Sequence, residues 1–123
     1  MTQKILIVED EPAMALAVEF ALNRSGFDVV GNVTSCDGAI ATAQEARPDI
    51  ILMDIRLDGD GDGVIAAEQI RLFAPLTPII FMTANSDRFT VERMDRIACT
   101  DRVDKPFELM TLIDKLKELG KTS

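Results

Sequence analysis

Short apolar runs alternate along the chain with longer stretches whose apolar positions recur at helical spacing. Residues 5–9 read as a strand, Ile5-Leu6-Ile7-Val8 running into Glu9. A helix is predicted from Pro12 to Ser25. Asp10 or Glu11 can cap it, Pro12 suits its first turn, Gly26 suits its end, and Met14, Ala17, Val18, Ala21 and Leu22 form its apolar face. Val29 to Val33 is a second strand, more polar and so expected at an edge. Residues 36–46 form an alanine-rich helix that stops before Pro48. Ile50-Ile51-Leu52-Met53 makes the third strand, ends on Asp54, and leads into a glycine-punctuated loop from Ile55 to Asp62. A helix over Gly63 to Phe73, a strand over 79–83, a helix over 87–97 and a short strand over 101–104 follow. The last helix begins near Phe107, with Leu109, Leu112, Ile113 and Leu116 on one face.

This is a (βα)5 pattern, which calls for an α/β fold with a parallel five-stranded sheet covered on both faces. Right-handed crossovers favour the doubly wound, flavodoxin-like strand order 2-1-3-4-5. Neighbouring strands lie about 5 Å apart. Asp54 then falls between the Glu9/Asp10 pair on one side and Thr83 on the other, with Lys105 reaching in from beyond the fifth strand. All these residues end strand-like segments, and in a parallel sheet those ends share one edge, where α/β folds carry their chemistry.

Composition narrows the function. The 123 residues suit one domain, residues 1–123, with 47% hydrophobic and 28% charged positions. A net charge of -8 argues against direct binding of nucleic acid or of an anionic membrane. No apolar run approaches the roughly 20 residues of a membrane span, and no signal peptide is visible, so a cytoplasmic location is expected. Cys36 and Cys99 lie far apart in no CxxC spacing and are expected as reduced thiols. The chain has no histidine, which removes His-based triads and His-ligated metals.

Packed carboxylates repel one another, and a hard cation with oxygen ligands, Mg²⁺ or Mn²⁺, relieves the repulsion. Asp10 and Asp54 are the best direct ligands, Glu9 can act through water, and the backbone carbonyl of Arg56 can complete the protein's share. A carboxylate can also act as a nucleophile and form an aspartyl phosphate. Lys105 and the Thr83 hydroxyl would then neutralise and hydrogen-bond the phosphoryl oxygens. Two rival readings are weaker. Asp58-x-Asp60-x-Asp62-Gly63 matches half of an EF-hand loop, but Gln69 stands where the bidentate glutamate belongs. A phosphatase of the haloacid dehalogenase type needs an acid two residues after its nucleophile, where this chain has Arg56.

The segments Ile5-Leu6-Ile7-Val8-Glu9-Asp10-Glu11, Ile51-Leu52-Met53-Asp54-Ile55-Arg56-Leu57, Asp62-Gly63, Met82-Thr83-Ala84 and Asp104-Lys105-Pro106-Phe107 occur in order along the whole chain. On these motifs the chain resembles a CheY-like receiver domain of a two-component response regulator. The resemblance implies that Asp54 accepts a phosphoryl group from a sensor histidine kinase or phosphotransfer protein. It implies Mg²⁺ held by Asp10, Asp54 and the Arg56 carbonyl with Glu9 assisting, Thr83 and Lys105 on the phosphoryl oxygens, and a cis Lys105–Pro106 peptide. The expected outcome is a switch that alters binding of a downstream protein partner, with homodimerisation on activation left open. Slow self-catalysed dephosphorylation is expected, tuned by Arg56 and Asn85.

Two departures stand out. Receivers usually carry an aromatic residue three positions before the lysine, where this chain has Arg102. The loop Leu57-Asp58-Gly59-Asp60-Gly61-Asp62 lacks the common proline and is one residue longer than usual. The alternative is a pseudo-receiver that signals by binding without phosphorylation. No output domain follows Ser123, so either a stand-alone switch or a piece of a longer regulator is expected.

Overall fold

The computed structural model describes residues 2–84 and 87–121. Five strands and five helices alternate in strict order: β1 Lys4–Val8, α1 Pro12–Arg24, β2 Asp28–Val33, α2 Cys36–Ala46, β3 Ile50–Asp54, α3 Gly63–Arg71, β4 Ile79–Thr83, α4 Arg88–Asp95, β5 Thr100–Asp104 and α5 Leu109–Lys121. All strand pairs are parallel and the sheet order is β2-β1-β3-β4-β5, the flavodoxin-like arrangement expected from the alternation.

The two faces of the sheet bury alternate residues of each strand. Leu6, Val8, Ile51, Met53, Ile79 and Phe81 pack with Ala39, Ala43, Val64, Ala67, Ile70 and Met94 from α2, α3 and α4. Ile5, Ile7, Ile50, Leu52, Ile80 and Met82 pack with Val18 and Leu22 of α1 and Leu112, Ile113 and Leu116 of α5. The central strands β3 and β4 are buried throughout, whereas β2 is only partly covered, as its edge position requires.

Boundaries and faces differ from the sequence expectation in a few places. Helix α1 buries Ala15, Val18 and Leu22, while Ala17 is exposed. Met14, Val18, Ala21 and Leu22 of the expected face do pack into the core, while a second apolar stripe with Leu16 and Phe20 is largely exposed. Glu11 is its N-cap residue but makes no side-chain cap. Gly26, at φ +90, closes its end in a backbone region that suits glycine. Helix α4 is shorter than the stretch 87–97, because Asp87 stays outside as the cap and accepts from the Thr90 N–H. Phe107 precedes α5 and packs against the core from the loop.

Candidate functional site

Parallel pairing brings the ends of β1, β3, β4 and β5 to one edge. The β3 end is shaped by Gly63: a Cβ there would collide with the Asp54 carbonyl oxygen and lie 2.9 Å from Met53 Cγ. Without one, the Gly63 N–H donates to the Ile55 carbonyl at 2.7 Å, and α3 starts directly beneath the strand it follows. Asp62 caps that helix, its Oδ1 accepting from the Ile65 N–H at 2.9 Å. The loop from Ile55 to Asp62 is thereby held against the sheet edge.

Asp54 is buried, with Oδ1 accepting from the Ile55 N–H at 2.7 Å and Oδ2 accepting from Lys105 Nζ at 3.2 Å. The Lys105 side chain crosses β4 and also donates to Glu9 Oε1 at 2.8 Å. Glu9 is fully buried, and its Oε2 accepts from the Glu11 N–H at 3.2 Å. Thr83 is buried at the end of β4, and its carbonyl accepts from the Lys105 N–H at 2.8 Å. The Lys105–Pro106 peptide is cis. Glu9, Asp10 and Asp54 offer carboxylate oxygens within 4.8 Å of one another. A cavity of about 320 Å³ opens over them, lined by Asp10, Asp54, Arg56, Thr83, Ala84 and Lys105 among others.

Charge is strained in this group. Burial pushes the Asp54 carboxyl up to about 7, and the neighbouring Glu9 adds to the rise while Lys105 opposes it. For Glu9, burial acts in the same upward sense, but hydrogen bonds with Asp54, Lys105 and the Glu11 N–H outweigh it and hold the group below its ordinary value. Burial disfavours the Lys105 charge, yet the Glu9 hydrogen bond and the two carboxylates raise its affinity for the proton. One lysine therefore faces more negative charge than it neutralises. An all-oxygen donor set with unrelieved repulsion fits a hard divalent cation.

The structure thus gathers Asp10, Asp54, Arg56, Thr83 and Lys105 around one cavity, with Glu9 buried against Lys105 beside it. Arg102 is outside it, exposed on β5, with its Nη1 4.0 Å from Asp95 Oδ1. Asn85 lies outside the described residues. The acidic loop is not a calcium-type cradle: Asp62 spends its oxygens on the Ile65 N–H and on Arg93, and Asp58 and Asp60 are exposed. Sequence reasoning missed the Asp62–Arg93 pair and the Ile55 N–H. The first needed knowledge of where α4 packs, and the second is a backbone group that sequence does not display.

Comparison with known proteins agrees with this geometry. The family model of the response regulator receiver domain matches residues 5–117. The alkaline phosphatase synthesis transcriptional regulatory protein PhoP of Bacillus subtilis is 30% identical over all of this chain and half of its own length. The chain thus spans about half the length of the curated relatives it matches. Among solved structures, the signal receiver domain of a modulated diguanylate cyclase from Desulfovibrio desulfuricans is 33% identical, with a TM-score of 0.88 over 97% of this chain and 94% of that one. The receiver domain of a sensor histidine kinase from Pseudomonas aeruginosa, with a magnesium ion coordinated in its active-site cleft, is also 33% identical, with a TM-score of 0.86 over 98% and 99%. By fold, by motif order and by these matches, the chain belongs to the response regulator receiver domain family of two-component systems.

Proposed function

We propose that the chain, residues 1–123 as one receiver domain, is a phosphorylation-activated switch whose acceptor is Asp54. The observation that carries this reading is the buried Asp54 carboxylate held by Lys105 at 3.2 Å and grouped with Glu9 and Asp10 within 4.8 Å beneath an open cavity. Asp10, Asp54 and the Arg56 carbonyl would hold Mg²⁺, or Mn²⁺, with Glu9 assisting. The bound cation supplies positive charge to the phosphoryl oxygens and discharges the repulsion among the acids.

The chain's own residues do the rest. An Asp54 carboxylate oxygen attacks phosphorus, forming the O–P bond as the donor's N–P bond breaks, and the leaving imidazole nitrogen takes up a proton. Lys105 and the Thr83 hydroxyl stabilise the equatorial oxygens, so the chemistry rests on positioning and charge. Hydrolysis returns the carboxylate and inorganic phosphate. Arg56, exposed at the mouth of the cavity, and Asn85 tune that rate by controlling water access. The donor is a sensor histidine kinase or a phosphotransfer protein, in the cytoplasm. The acyl phosphate adds one to two negative charges, about the charge of other phosphorylated side chains, and shifts the α4–β5–α5 face between two arrangements that a downstream protein distinguishes.

The test is labelling with radioactive phosphoramidate in Mg²⁺, followed by hydroxylamine. Label that hydroxylamine removes, and that is absent from Asp54→Asn, supports the acyl phosphate. A protein that takes no label but still binds its partner through α4–β5–α5 would be the phosphorylation-independent pseudo-receiver, a reading that Arg102 at the switch position favours. Replacing Arg56 and Asn85 together should alter the lifetime of the label; an unchanged lifetime removes them from that role.

A further inference from the structure

The loop between β3 and α3 carries Ile55 and Arg56 past the Asp54 carboxylate and is anchored on both sides of the site. On one side the Asp58 N–H donates to the Thr34 carbonyl at 2.9 Å, and Asp58 forms a short parallel bridge with Ser35. On the other side Asp62 accepts both terminal nitrogens of Arg93, a residue of α4: Nη1 to Oδ2 at 2.7 Å and Nη2 to Oδ1 at 3.0 Å. The two side chains are only 21% and 28% exposed. The Arg93 guanidinium also lies 5.6 Å from the centre of the Phe89 ring, which steadies it by a cation–π contact.

This pair differs in kind from the Arg88–Glu92 pair on the same helix, a single contact at 3.1 Å with side chains 93% and 51% exposed. An exposed pair of that sort holds little in place. A bidentate, half-buried fork fixes distance and orientation together. Asp62 is also the cap of α3, so one carboxylate ties three parts into a unit: the loop over Asp54, the start of α3 and the body of α4.

We propose that Arg93 is a positioning residue for the Asp54 site: through Asp62 it sets the loop that carries Arg56, and so couples α4 to the cation and phosphoryl chemistry. The inference rests on the acceptor reading given above. Coupling of this kind is reciprocal, so whatever moves α4 changes cation affinity by the same factor with which the cation changes α4. It gives a chain with Arg102 in place of an aromatic residue a physical connection between site and signalling face.

The test compares wild type with Arg93→Gln, Asp62→Asn, their double variant and Arg93→Lys, with Arg88→Gln as the control on the same helix. Asparagine caps helices as well as aspartate does, so Asp62→Asn removes the ion pair and leaves the α3 cap. Two readouts are taken: Mg²⁺ affinity by calorimetry, and amide hydrogen exchange of residues 55–62 without metal. Each of the two single variants should weaken Mg²⁺ binding about three- to ten-fold, with the double variant no worse than either, as residues in one interaction behave. Arg93→Lys should recover only part, because a point charge does not reproduce the fork. Loop amides should exchange faster in the same variants and not in Arg88→Gln. Mg²⁺ affinity and loop exchange both unchanged, or single effects that multiply in the double variant, would overturn the proposal. If wild type binds no Mg²⁺, the acceptor reading fails, and loop exchange alone decides the linkage: faster supports it, unchanged overturns it.

Discussion

Asp54 and Glu9 share one buried pocket yet are pulled in opposite directions. Asp54 takes its proton more tightly than an ordinary aspartate, at about 7, so the stability its protonated form contributes is complete below its usual value of 3.8 and is lost as pH rises through about 7. Glu9, held low, contributes stability that is present above its usual 4.5 and is lost only in acid. Between about pH 5 and pH 8 the Asp54 effect governs, and metal-free protein should lose stability as pH rises. Urea unfolding at the two ends of that range should show it, and Asp54→Asn should flatten the trend. At the alkaline end the variant should be more stable than wild type by about 1–2 kcal/mol, a tenfold change in proton affinity being worth about 1.4 kcal/mol. Equal pH slopes in the two proteins would contradict the assignment.

Gly63 is the second residue on which the site depends. A Cβ there would run into the Asp54 carbonyl, a backbone atom that cannot swing aside. Gly63→Ala should therefore destabilise by about 3 kcal/mol, in the range of overpacking a tight site, and urea midpoints would measure it. The acids and Thr83 were legible because each ends an apolar run whose strand character fixes where it stops, whereas Lys105 follows the polar strand Thr100–Asp104 and was placed by strand order and motif. The role of Asp62 was not: the sequence showed it only as one acid of a glycine-rich loop, and its partner Arg93 lies 31 residues away.

At the level of elements, strands read more clearly than helix faces. A buried parallel strand is apolar throughout, and Ile50-Ile51-Leu52-Met53 can be little else. Helix α1 has two apolar stripes; the one read from periodicity covers the sheet except at Ala17, and the other, with Leu16 and Phe20, is left exposed. Helix α4 is short, rich in charge and buries only Thr90 and Met94, which makes it the less fastened helix of the proposed α4–β5–α5 face. Arg102 lies beside it, with its weak contact to Asp95 at 4.0 Å. Arg102→Ala should change stability by no more than about 0.5 kcal/mol, as exposed ion pairs do, yet should alter phosphorylation-dependent binding of the downstream partner. Unchanged partner binding would remove Arg102 from the switch.

At the scale of the whole molecule, the alternation of strand and helix pointed to the class, and the observed strand order is the one that right-handed crossovers favour. What sequence did not show was how the connecting loops brace one another, since those contacts are long-range and largely made by backbone. The domain carries two cores on opposite faces of one sheet, and both meet the site edge through β3 and β4. Binding a cation there should stabilise the entire fold by mass action, about 2.7 kcal/mol at a hundredfold excess over Kd. The rise in melting temperature on adding Mg²⁺ should be larger at about pH 8 than at about pH 5, because protons compete for the same carboxylates. Asp10→Asn should abolish most of it. A full switch would need about 5.5 kcal/mol of difference between two states.

The most direct test of the account is the intact mass of the protein after incubation with Mg²⁺ and a small phosphodonor, beside Asp54→Asn and a sample with the metal chelated. The account predicts one phosphoryl adduct in wild type and none in either control. A folded wild-type protein that stays unmodified by an active donor, or an adduct that persists in Asp54→Asn, would contradict it.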